Sequence, residues 1–170
     1  MTSLPTYVPI ASITTGAATS SITFSAIPST YTDLVLISQF LSAGSAISSN
    51  IVLNGDTATN YSYQRMYGSG TANSADNGIN TANSLGSWGI GNSTDVPITF
   101  ITNIFSYANT NMFKTFITNA MEPNNSTGSN YVGYISSMWR STSAITSITF
   151  QSSGNFGTGS TFNLYGIAAA

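Results

Sequence analysis

Four residues at alternate positions, Tyr61, Tyr63, Arg65 and Tyr67, form the densest group of side chains able to grip a ligand. A period of two puts all four on one face of a strand. Aromatic rings beside a guanidinium can stack sugar rings or bases. The same row also serves ordinary packing, since cross-strand aromatic pairs stabilise sheets and Arg lies over Tyr rings on many surfaces. Trp88, in a Gly-rich stretch, is a fifth candidate, as an anchor for a partner.

Catalytic chemistry finds little to work with. The chain has no His and no Cys, which removes the usual serine triad, thiolate metal sites and any disulfide framework. Five carboxylates remain, Asp33, Asp56, Asp76, Asp95 and Glu122. Each falls at an expected turn or strand end, where Asp bonds local backbone. No spacing singles out two of them as an acid–base pair for glycoside hydrolysis. Asn54-Gly55-Asp56 resembles the start of a calcium loop, but the remaining ligand positions and the closing Glu are absent. A hairpin turn is the expected role there, and likewise for Asp76-Asn77-Gly78. These residues imply a protein that is not an enzyme and carries no cofactor or metal.

Composition supports a building or binding part. Only eight of 170 residues are charged, whereas Ser, Thr and Asn together number 69. Ordinary soluble domains carry roughly a quarter charged residues, so hydroxyls and amides replace charges on this surface. A net charge of −2 leaves little repulsion between copies, which favours association. Three scattered basic residues are too few to neutralise phosphates, so no nucleic-acid partner is expected. Met1 to Ile10 has neither a basic start nor a long apolar run, and no stretch reaches the roughly 20 apolar residues of a membrane span. No secretory leader and no membrane partner are expected.

The elements that must position these residues are strands. Thr, Ile, Val, Tyr and Phe are plentiful, and short alternating runs are separated by Gly, Asn, Ser and Pro. Expected strands cover 7–13, 20–26, 33–43, 49–54, 61–67, 85–90, 96–108, 112–121, 131–139, 144–152 and 161–167. The run Leu34-Val35-Leu36-Ile37 marks a strand buried on both faces. The fold class is therefore all-β: an antiparallel, jelly-roll-like β-sandwich of ten or so short strands with long polar loops at 68–84, 123–130 and 154–160. Residues 1–10 form an N-terminal arm or first strand, and 11–170 a single domain. Trp139 ends an apolar strand and is expected in the core. Ser21-Ile22-Thr23-Phe24 and Ser147-Ile148-Thr149-Phe150 are identical, and Pro97-Ile98-Thr99-Phe100 is close; the shared pattern is that of half-buried strands.

Several segments together resemble small virion structural proteins of tailed bacteriophages. They are Ile10-Ala11-Ser12, Tyr31-Thr32-Asp33-Leu34, Leu53-Asn54-Gly55-Asp56 with Asn60-Tyr61-Ser62-Tyr63, Trp139-Arg140-Ser141-Thr142 before Ile145-Thr146-Ser147-Ile148, Ser153-Gly154-Asn155-Phe156, and Leu164-Tyr165-Gly166-Ile167. The resemblance implies a β-sandwich carried on the particle and no catalytic residues. A capsid decoration (cement) protein is the first expectation. It would bind the major capsid protein, with a trimer of the chain at local three-fold positions. A tail, fibre or receptor-binding module contacting host-surface glycan is the alternative. Self-contacts are expected at the 61–67 strand, the 68–84 loop or the N-terminal arm.

Overall fold

The computed structural model describes residues 6–44, 46–70, 72–82, 88–90, 94–122 and 131–168. Twelve strands run through them in chain order: β1 Tyr7–Thr14, β2 Thr19–Phe24, β3 Asp33–Phe40, β4 Ile47–Leu53, β5 Tyr61–Gly68, β6 Asn73–Thr81, β7 Trp88–Ile90, β8 Ile98–Phe105, β9 Lys114–Glu122, β10 Tyr131–Trp139, β11 Ile148–Phe156 and β12 Thr161–Ile167. All pairings are antiparallel. One sheet has eight strands in the order β1-β12-β3-β8-β9-β10-β5-β6, and the other four in the order β2-β11-β4-β7. The protein is an all-β sandwich. Its strands divide eight and four, and β8, β9 and β10 follow one another as a meander in the large sheet.

Alternation along each strand decides which residues enter the core. In β3, β8 and β12 of the large sheet, Phe40, Phe100 and Phe162 point inward, and they meet Phe150 and Phe156 of β11 from the small sheet. Phe40 is the hub, with ring centroids 5.2–6.1 Å from the other four. Leu34, Leu36, Ile51, Leu53, Ile98, Ile104, Phe116, Ile135, Ile148 and Leu164 complete a continuous apolar cluster. Val35 points to the opposite face of β3 yet is also buried, as the apolar run there implies. The identical tetrapeptides lie side by side: Phe24 pairs with Ile148, Thr23 with Thr149 and Ile22 with Phe150. The Thr23 and Thr149 hydroxyls hydrogen-bond at 3.0 Å.

Four expectations are corrected. The stretch 68–84 is not a loop over its central part, because Asn73–Thr81 is strand β6, paired along β5. Asp76-Asn77-Gly78 is therefore mid-strand and not a turn. The stretch 154–160 is also strand as far as Phe156, whose ring is fully buried. Asn54-Gly55 does turn the chain sharply, with both residues at positive φ (51° and 67°), a conformation that Asn and Gly tolerate best. It does not close a hairpin, however, because β4 and β5 belong to different sheets. From Tyr7 onward the N-terminal segment pairs with β12 as a first strand of its own sheet. The expected loop at 123–130 and residues 85–87 of the expected 85–90 strand lie outside the described residues.

Candidate interaction surface

The β5 row does share one face, as its spacing implies, but that face is the inner one and its members have different jobs. Tyr61 is fully buried. Its hydroxyl accepts a hydrogen bond from the Leu53 amide at 2.9 Å and donates one to the Asp56 carbonyl at 3.1 Å. Its ring stacks on Trp139 at 6.4 Å. Burial, with the nearby Asp56 charge, pushes its phenol up to about 12, despite the opposing Leu53 bond. Tyr61 is a structural pin between β4 and β5, not a ligand contact.

Arg65 makes a bidentate ion pair with Asp76 on β6, Nε to Oδ1 and Nη2 to Oδ2, both at 2.6 Å. The Tyr63 and Tyr67 rings flank its guanidinium at 5.6 and 5.7 Å. Tyr63 also covers Gly78 on the neighbouring strand, where an added Cβ would come within 2.3 Å of the ring. The three side chains thus knit the β5–β6 hairpin, and the guanidinium meets an internal acid. Trp88 begins β7, opposite Ser49; its side chain lies outside the described residues.

Asp56 forms the joint between the two sheets. One carboxylate oxygen accepts the Ala58 amide at 2.9 Å; the other accepts Asn60 Nδ2 at 2.9 Å and the Trp139 indole N–H at 2.7 Å. Burial alone would raise its pKa, but the Asn60, Trp139 and Ala58 bonds outweigh it and hold the carboxyl below the usual 3.8. Lys114 is fully buried. Its ammonium donates to the carbonyls of Asn109, Met112 and Thr142, and burial lowers its pKa. Arg140 donates to the Thr59 carbonyl and Asn80 Oδ1, both at 2.7 Å, and to the Ser62 hydroxyl. Asp33 accepts the Ser106 amide at 2.6 Å. Glu122 is buried. Of the eight charged residues, Asp95 alone is exposed. Among the described residues no three His, Cys, Asp or Glu come together as a metal site.

The surface that remains is the outer face of the large sheet. Register places Met121 beside Val132, and Tyr134 beside Met66. All four are exposed; Met66 is 63% and Val132 62% accessible. Met66, Val132 and Tyr134, with Ala75 of β6, border a shallow groove of about 620 Å³. No charged residue lines it, so it offers apolar contact without an anchor for a charged ligand. Sequence reasoning missed this patch. Both phases of β5 and β10 carry aromatic or apolar side chains, so alternation alone does not tell which face the second sheet covers.

No family model, no curated protein and no solved structure matches the chain.

Proposed function

We propose that the chain is a virion structural protein of a tailed bacteriophage, a capsid decoration protein that binds the major capsid shell and stabilises it. It acts by contact and performs no catalysis. One observation carries this reading: of only eight charged residues Lys114 and Glu122 are buried, five are half-buried and Asp95 alone is exposed, which leaves a folded sandwich with a weakly charged surface. Such a surface meets a protein partner through hydroxyls, amides and apolar groups, and salt screens those contacts little. The resemblance of the quoted segments to small phage virion proteins points the same way. The glycan-binding alternative draws no support from the β5 row, since Tyr61 is buried and Arg65 is paired with Asp76.

The test is to add the purified protein to undecorated heads. Binding that persists at about 1 M salt, where the Debye length is only ~3 Å, and that raises the melting temperature of the heads is the expected result. Heads left unbound and no more stable would exclude this reading.

A further inference from the structure

The large sheet ends in two edges of opposite character. At one end β1 contains Pro9, and its register with β12 shifts between Pro9 and Ala11. A proline lacks the N–H of the ladder and a bulge bends the strand away, so this edge is blunted against further pairing. At the other end β6 runs from Asn73 to Ile79 in unbroken register with Gly68 to Ser62. It contains no Pro, Lys or Arg. Its one acid, Asp76, faces inward to Arg65. Asn73, Ser74, Ala75, Asn77 and Ile79 are exposed, and among the described residues no strand lies beyond them. Half the backbone groups of such an edge point away from their own sheet and seek partners.

We infer that β6 pairs antiparallel with β6 of a second copy of this chain, about a two-fold axis at Asn77. The edge is complementary to itself in that register. Asn73, Ala75, Asn77 and Ile79 share the outer face, because their partners on β5 are Gly68, Met66, Gln64 and Ser62. An axis at Asn77 sets Ile79 of each copy opposite Ala75 of the other. Ile79 is the most exposed large apolar side chain among the described residues, at 74%. It then packs on the small Ala75, with Met66 one strand further in. The Asn77 amides meet across the axis, and Asp76 falls opposite Gly78. Moving the axis one residue to Asp76 would set two carboxylates face to face, which like-charge repulsion disfavours. The blunted β1 edges remain at the two ends, so the pairing closes as a dimer instead of growing into a fibre. This contact is two-fold, in place of the trimer expected from the sequence, and it stands independently of the capsid reading.

The chain has no cysteine, which makes the register directly testable. Sedimentation of the full chain at up to about 100 µM should give a dimer. Ile79→Lys should shift it to a monomer that keeps its β-sheet circular dichroism spectrum, and Asn77→Lys, which sets two ammonium groups across the axis, should do the same. Under oxidation Asn77→Cys should form a disulfide-linked dimer, while Ala75→Cys should not. A wild-type monomer at that concentration would overturn the inference, as would a dimer that survives both lysine variants. Cross-linking by Ala75→Cys but not by Asn77→Cys would overturn it too. A monomer that still binds heads would leave the decoration reading intact.

Discussion

Two parts of the large sheet are built on different principles. Around Phe40 the inner face is fully buried, and five phenylalanine rings from both sheets interlock. On the β5–β6 hairpin no residue of β6 is buried, and pairing is held by one ion pair and by the Tyr63 ring laid on Gly78. The first region draws on area removed from water, which is large and insensitive to detail. The second draws on particular partners, each contributing a fraction of a kilocalorie to about one. The contrast teaches that one sheet can hold a rigid end and an end whose strands depend on specific neighbours. The weaker end is the one left open to another chain.

Four measurements break or sharpen the contrast. Phe40→Ala removes the hub ring and should cost about 3–5 kcal/mol in denaturant unfolding. Tyr61, where the two regions meet, should show itself in alkali. Its folded pKa of about 12 lies above its ordinary 10.0. The stability this group contributes is complete below pH 10.0 and is lost as pH rises toward about 12. The loss should be about 2–3 kcal/mol, and Tyr61→Phe should remove that part of the slope. Asp56→Ala strands the Trp139 N–H and two further donors, and should cost about 1–3 kcal/mol at neutral pH. Its carboxyl is depressed, so the stability it gives is present above pH 3.8 and is lost as pH falls through the folded value. Arg65→Ala should have the smallest effect, about 1 kcal/mol or less, because the Asp76 side chain is 39% exposed and solvent screens the pair. Hydrogen exchange should quicken at Asn73–Ile79 and stay unchanged at Leu34–Phe40. Equal quickening in both would erase the distinction between the two regions.

The strands with clear alternation were the legible ones. Strands such as β10 and β12 alternate β-branched and aromatic residues, and their expected spans coincide with those observed, Tyr131–Trp139 and Thr161–Ile167. Strand β6 was illegible because Asn73-Ser74-Ala75-Asp76-Asn77-Gly78 carries none of the residues that favour strands. It is extended because β5 supplies the backbone ladder, Arg65 meets Asp76, and Gly78 leaves room for Tyr63. These are tertiary causes that local propensity does not register. Phe156 was hidden for a similar reason: the glycines beside it read as loop, while its ring is claimed by Phe40 and Phe162. In the β5 row the shared face was legible from spacing. The direction of that face and the pairing of Arg65 were not, because both depend on which strand lies next door.

The placement of the cations carries a consequence for handling the protein. Trypsin cuts after Lys or Arg once its target chain can extend into the enzyme's cleft. Here those sites are Arg65 inside a strand, Lys114 at a strand's first residue and Arg140 just past a strand's end. The side chains of all three are bonded to other parts of the fold. Digestion must wait for a strand to peel away, so the folded protein should pass through a trypsin bath uncut until it melts.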